Sequence, residues 1–298
     1  MRVGLSASST SALDARAAAR HALERVRVAR DAGIDTLTFG DSHGRGGANY
    51  LQNVPTLGRC LAEWDPTRPA GCLFLVPMWN PVLLAEQVGT LAAFHDGPFI
   101  VQTGLGGPGQ FPTMGVEVAH RGRALEEAVR VVQALFAGET VSSEPFGIVD
   151  AAFDLVPPDG VSWWFGTMSE AGVRRAARFG GSWYALHAGV DALRAPYEAY
   201  LDECSNVGTT PYVAARREAV ILHDGDRARQ LAADALAGGY RGMDQDQIVA
   251  GAPADVVEQL ASLVDLGVDE VMLRTMGIAP DVDLETLAAA GEVRAMLS

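Results

Sequence analysis

Asp41, Ser42 and His43 stand together in the stretch TFGDSHG (Thr38 to Gly44), directly after an apolar run. A histidine exchanges a proton near neutral pH, and a carboxylate two residues away can orient it. An Asp or His on a loop also serves simply as a cap or a solvated charge, and both roles are open here. Farther along, Gly166-Thr167-Met168-Ser169 joins the apolar segment Val161 to Phe165 to a helical stretch with Arg174 and Arg175 in its second turn. Free N–H groups and the positive dipole end at a helix start suit an anion. The junction therefore reads either as a phosphate cradle of main-chain amides or as an ordinary loop with Ser169 as N-cap. The two arginines read more readily as surface charges of the helix than as ligands.

TGLGGPGQF (Thr103 to Phe111) contains GxGGxG, but Pro108, Phe111 and Pro112 follow where a dinucleotide fold would start a helix at once. A tight backbone-lined turn lying against a flat ring fits better, and a glycine-rich surface turn is the alternative. LFLVPMWNPVLLAEQV (Leu73 to Val88) runs off an expected strand through Pro77, Met78, Trp79 and Asn80 into a helix with Pro81 at its first position. Met78 and Trp79 suit a planar ligand or the core equally, and Asn80 suits an N-cap. Arg216, Arg217 and Arg274 are cations expected near the mouth end of their strands, with ion pairs to acidic neighbours the favoured role. The six histidines show no metal-ligand spacing, and HExxH and GxSxG are absent, so no metal is assigned and neither zinc nor serine hydrolysis is supported.

Eight apolar runs read as strands: Arg2 to Ser6, Asp35 to Gly40, Gly71 to Val76, Phe99 to Leu105, Val161 to Gly166, Ser182 to Leu186, Tyr212 to Leu222 and Glu270 to Leu273. Between most of them lies helical periodicity, as in Leu84, Val88 and Leu91, or Leu125, Val129 and Val132, or Val256, Leu260 and Leu263. DAGIDTLTF (Asp31 to Phe39) and DLGVDEVML (Asp265 to Leu273) echo each other as the same helix-to-strand step, with a glycine just past the helix end. Alternating strands and amphipathic helices predict a parallel sheet, and eight units predict its closure into an α/β fold, a (β/α)8 TIM barrel. The expectation is one domain over 1–298, with insertions at about 138–158 and 237–252. Chemistry would then sit at the strand C-terminal ends.

Composition limits the partners. The 298 residues are 48% hydrophobic and carry 23 Lys+Arg against 37 Asp+Glu, a formal charge of −14 that repels nucleic acid and anionic lipid surfaces while leaving room for an Arg cluster to hold one small anion. The longest apolar stretch, Cys72 to Ala85, is interrupted by Pro77, Asn80 and Pro81 and falls short of the roughly 20 residues that a bilayer crossing needs. The first residues lack the apolar core of a secretion signal. Cys60, Cys72 and Cys204 lie far apart, form no CxxC and are expected to be reduced. A small-molecule substrate and a cytoplasmic location are expected, with no nucleic-acid or membrane partner.

In their order along the chain, AGIDTLTFGDSH, NPVLLAEQVGTLAAF, FIVQTGLGGPGQF, RGRALEEAVRVVQALFAGE, WFGTMSEAGVRRAARFGGSW and GAPADVVEQLASLVDLGVDEVMLR resemble the bacterial-luciferase-like family of flavin or deazaflavin oxidoreductases. The resemblance implies a barrel with the isoalloxazine or deazaisoalloxazine ring over its mouth. It places the cofactor phosphate at Gly166, Thr167, Met168 and Ser169. It places the ring against Leu73, Phe74, Val76 and Asn80 on one side and Thr103, Gly104, Gly106 and Gly107 on the other. It also implies a non-prolyl cis peptide within Leu73 to Val76, a bond costing about 3 kcal/mol. Asn80-Pro81 stands where many relatives have His-Pro, and Asp41-Ser42 resembles the Asp-Ser pair of the deazaflavin branch. The resulting expectation is hydride transfer between coenzyme F420 and a small organic substrate, with His43 exchanging a proton and Asp41 orienting it. An FMN-dependent luciferase-like monooxygenase is the runner-up. A non-catalytic flavoprotein and a phosphosugar isomerase-type barrel are further alternatives, the last lacking a catalytic Glu or Lys motif. A homodimer is compatible with the resemblance.

Overall fold

Runs of Val, Leu, Ile and aromatic residues that are too short for helices form parallel strands, and the amphipathic stretches between them form the helices that cover the outside. A computed structural model describes residues 1–7, 10, 11, 13–44, 49–107, 109–116, 120–186 and 188–298. The strands are β1 (Arg2–Ser6), β2 (Thr36–Phe39), β3 (Ala70–Leu75), β4 (Phe99–Gly104), β5 (Ser162–Thr167), β6 (Ser182–Ala185), β7 (Val213–Ile221) and β8 (Glu270–Thr275). Each pairs in parallel with the next. β8 then pairs with β1 from Arg2↔Glu270 to Leu5↔Leu273, so the sheet closes. The expected (β/α)8 barrel is the fold.

The helices are α1 (Ala15–Asp31), α2 (Asn53–Leu61), α3 (Pro81–Ala93), α4 (Arg121–Phe136), α5 (Glu170–Arg178), α6 (Val190–Val207), α7 (Gly225–Ala237), α8 (Pro253–Leu266) and α9 (Pro280–Leu297). Local chemistry sets their starts: Asp14, Asn80, Ser169 and Asp224 each accept a hydrogen bond from a first-turn N–H. The two echoing segments do the same physical job. Gly33 and Gly267 take positive φ, +77° and +92°, just past α1 and α8. Two residues later Asp35 and Asp269 accept the N–H of Val3 and Val213, at 2.9 and 2.8 Å, each pinning the start of a neighbouring strand. Among the described residues, no helix is long and apolar enough to cross a membrane.

Both insertions contain structure. Val141–Ser143 and Ile148–Ala151 form an antiparallel hairpin between α4 and β5. The second stretch, expected only as glycine-rich and polar, holds an additional parallel strand, Ile248–Gly251, that pairs with the upper half of β7 from Glu218 to Ile221. Four residues are too few to show a period of their own, so they blend into the polar loop around them.

Alternate residues enter the barrel, where Ile100, Trp164, Tyr184, Ala214 and Met272 form an apolar floor. That filling leaves no room for side chains at facing positions: a Cβ on Gly4 would run into the Met272 sulfur, and one on Gly71 into the Ile100 carbonyl oxygen. Gly71→Ala is expected to lower stability by about 1–3 kcal/mol in denaturant unfolding, whereas Gly109→Ala, which meets nothing within 4 Å, should leave the midpoint in place.

Candidate active site

Above the floor, at the C-terminal ends of the strands, lies a cavity of about 420 Å³. One wall is nearly bare backbone. Gly104 ends β4, Gly106 follows it at φ +73°, and Gly166 lies on the neighbouring β5. A Cβ on Gly166 would sit 2.8 Å from the Thr103 carbonyl oxygen, and one on Gly106 would sit 2.6 Å from Met78 Cε. Side chains at these positions would fill the approach to a flat ligand. Leu73 and Leu75 of β3 supply the adjoining apolar surface.

Of the residues expected from sequence, Leu73, Thr103, Gly104, Gly106, Gly166, Thr167, Met168 and Ser169 line this cavity. Asp41, His43, Phe74, Val76, Asn80 and Gly107 are not among its lining residues. Phe74 and Val76 point to the outer layer, almost fully buried, with Phe74 edge-on to Trp79 at 5.2 Å. Asn80 caps α3, its Oδ1 accepting from Val82 and Leu83 N–H. The mouth loop that starts at Gly44 lies partly outside the described residues, as does Pro108 of the glycine turn.

The expected cis peptide is a correction: every described peptide bond is trans. β3 instead changes direction through Leu75, at φ −78° and ψ 72°, into a 3-10 turn over Val76–Met78. Asp41 stabilises that exit. Its Oδ2 accepts from the Leu75 N–H and from Trp79 Nε1, both at 2.9 Å, and its Oδ1 lies 2.9 Å from His43 Nε2. The His43 ring also sits 5.8 Å from the Trp79 ring. Hydrogen bonding to Asp41, aided by that carboxylate's charge and opposed by burial, holds the imidazole above its ordinary pKa of 6.5. Gln110 ties the neighbouring exits together, accepting from Gly107 N–H at 3.2 Å and donating to Ser42 Oγ at 3.1 Å.

At the β5 exit, Ser169 is the N-cap of α5, accepting from Gly172 N–H at 3.2 Å, while its own N–H donates to Thr167 Oγ1 at 3.2 Å. Gly172 is required there, because a Cβ would run into Thr167 Oγ1. With those two amides taken, the first-turn amides of Glu170 and Ala171 are left for water or a ligand. Arg174 and Arg175 face elsewhere. Arg174 pairs with Glu170 and Glu203, and Arg175 with Glu126 at 2.6 Å. The cations at the cavity are Arg121, which donates to the Gly106 carbonyl at 3.1 Å and lies over the Phe111 ring, and Arg216 of β7.

Sequence reading missed several lining residues, among them Ser6, Gly40, Leu75, Gln102, Arg121 and Tyr184. Period-two alternation from Leu73 and Gly104 would have reached Leu75 and Gln102. No local signal marks Arg121, which reaches Gly106 only through the fold. Burial raises the thiols of Cys60, to about 12, and Cys72, so neither is a nucleophile at neutral pH.

The family model for luciferase-like monooxygenases matches residues 1–246, which bears out the resemblance read from motif order. An uncharacterized protein of Mycobacterium tuberculosis is 31% identical over 123 residues, 39% of this chain and 40% of that protein, so the chain matches less than half the length of this curated relative. Similar solved structures include an F420-dependent secondary alcohol dehydrogenase in complex with an F420–acetone adduct, at 18% identity and TM-score 0.81 over 98% of this chain and 97% of that one. Another is the oxygenating constituent of 3,6-diketocamphane monooxygenase from Pseudomonas putida, a type II Baeyer–Villiger monooxygenase in complex with FMN, at 16% identity and TM-score 0.83 over 99% and 98%. At these identities the likeness to both structures is one of fold.

The raised His43 pKa gives a signed expectation. The stability that the Asp41–His43 pair contributes is fully present below the unfolded pKa of about 6.5 and is lost as pH rises through the higher folded value. Urea unfolding of wild type and His43→Gln should therefore differ most in mildly acidic buffer and converge in alkaline buffer; a constant gap would rule the pairing out.

Proposed function

Because the chain belongs to the luciferase-like monooxygenase family, we propose that it is an oxidoreductase transferring a hydride between coenzyme F420 and a small organic substrate, built as one barrel domain with insertions at about 138–158 and 237–252. The observation that carries this reading is the side-chain-free wall of Gly104, Gly106 and Gly166, ending at the start of α5. A flat ring needs such a wall, and a phosphate needs the amides and positive dipole at its end. The residues present fit both needs. When bound, the deazaflavin supplies a ring carbon that gives or takes hydride.

The chain's own part is to bind, orient and shield. On this reading the Ser169 hydroxyl, the amides of Glu170 and Ala171, and Arg121 hold the phosphate. Leu73 and the backbone from Thr103 to Gly107 support the ring, while Phe74, Val76 and the cap residue Asn80 brace the β3 exit from behind. Leu75, Met168 and Leu186 keep water from the reacting face. His43, with Nε2 held by Asp41, would exchange its proton through Nδ1. The same cradle has the chemistry to take FMN, which shares the phosphate and the three-ring system.

Titrating purified protein with F420 and with FMN, followed by fluorescence, should give the tighter Kd for F420. A preference for FMN would transfer the assignment to the monooxygenase reading, and binding of neither would end the redox proposal. Gly166→Val is expected to weaken cofactor binding roughly tenfold or more, since its side chain must displace the Thr103 backbone or the ligand; an unchanged Kd would move the site elsewhere. For His43→Ala, cofactor Kd should stay at the parent value while turnover falls about 10²-fold, and turnover at the parent rate would remove His43 from the mechanism.

A further inference from the structure

In the upper half of the barrel, strands β1 to β6 present uncharged groups such as Ser6, Gln102 and Tyr184 to the cavity, whereas β7 and β8 present charge. Arg216 lines the cavity with its side chain 13% exposed. Two residues on, Glu218 is fully buried and stands in register with Arg274, whose side chain is 4% exposed. Glu218 Oε1 lies 3.6 Å from Arg216 Nη2 and 3.7 Å from Arg274 Nη1, and Oε2 accepts from the Tyr240 hydroxyl at 2.8 Å. Arg241, on the turn after α7 at φ +50°, is close enough for the charges of Arg274, Glu218 and Arg216 to act on its guanidinium.

Three arginines thus gather around one carboxylate. The neighbouring acid behind β8, Asp283, already pairs with His21 at 3.3 Å and interacts with the buried Arg25. In the insertion, Asp246 acts on Arg217, which faces outward from β7 and donates to the Arg216 carbonyl. Concentrating like charge on a partly desolvated wall costs energy unless an anion joins it. In a chain of net charge −14, such a patch is also what a negatively charged molecule needs to approach at all.

We infer that the substrate carries an oxyanion group, a carboxylate or a phosphate ester, that seats on Arg216, Arg241 and Arg274 at the β7–β8 side of the cavity. The inference rests on the hydride-transfer reading of the same cavity and adds the substrate class to it. The planar arginine fork matches either oxyanion with paired hydrogen bonds. The patch lies two strands round the barrel from the start of α5, so the cofactor phosphate and the substrate anion occupy separate ends of one cavity.

The test uses inorganic phosphate and acetate as probes, with sodium chloride at matched ionic strength, and follows the thermal midpoint of the wild-type chain and of Arg216→Gln, Arg274→Gln and Glu218→Gln. At least one oxyanion should raise the wild-type midpoint saturably where chloride does not. Either arginine variant should weaken that apparent affinity roughly tenfold or more. Glu218→Gln, which removes the competing carboxylate, should strengthen it and keeps the inference testable if an arginine variant fails to fold. F420 and FMN titrations of Arg216→Gln identify the source of the anion. A cofactor Kd within about twofold of wild type assigns the arginines to substrate, whereas one that weakens in step with phosphate assigns them to the cofactor and overturns the inference. An oxyanion effect equal in wild type and Arg216→Gln, or none in wild type, overturns it as well. A chain that binds phosphate through Arg216 yet takes neither cofactor would overturn the hydride-transfer reading and leave the anion site in place.

Discussion

A closed cylinder of eight strands has little room inside, and that limit governs everything above it. Ile100, Trp164, Tyr184, Ala214 and Met272 take up the middle of the barrel, so glycine must stand where Gly4 and Gly71 face them. With the interior filled, no ligand can enter the barrel itself. Binding is displaced upward, to the rim where the strands end and their loops begin. The cavity is therefore a consequence of closure: its floor is the top of the packed core, and its walls are the last inward-facing residues of each strand.

Loops on such a rim need anchors, because they have no ladder of their own. Asp41 provides one. A single buried carboxylate gathers the end of β3, the Trp79 indole and the His43 imidazole, which links the loop after β2 to the turn after β3. Gln110 repeats the device between the loop after β2 and the loop after β4. Charged acceptors form the stronger hydrogen bonds, and a buried one without partners would be costly. The arrangement consequently holds the bare glycine wall in a fixed relation to its neighbours.

Charge is distributed against the average of the chain. The outer surface is rich in acids, while the mouth collects Arg121 at one end of the cavity and Arg216 with Arg241 and Arg274 at the other. Part of this comes from the second insertion. The short strand Ile248–Gly251 extends the sheet beside β7, and the turn preceding it brings Tyr240 onto Glu218. What reads as a polar spacer is thus a wall of the mouth.

Much of the architecture was legible without coordinates. Apolar runs of strand length, helical periodicity between them and the paired Gly-x-Asp steps at Gly33 and Gly267 specify eight α/β units, because helix ends and strand starts are set by local chemistry. Ser169 and Asn80 were legible as caps for the same reason. The face on which each strand residue lies was not. Barrel strands are buried on both sides, so their hydrophobicity carries no phase, and Phe74 and Val76 looked as ready for the cavity as Leu73 and Leu75. Nor could spacing reveal that Arg121 meets Gly106 or that Glu218 sits among three arginines. Those contacts join segments distant along the chain, and only closure of the barrel brings them within reach of one another.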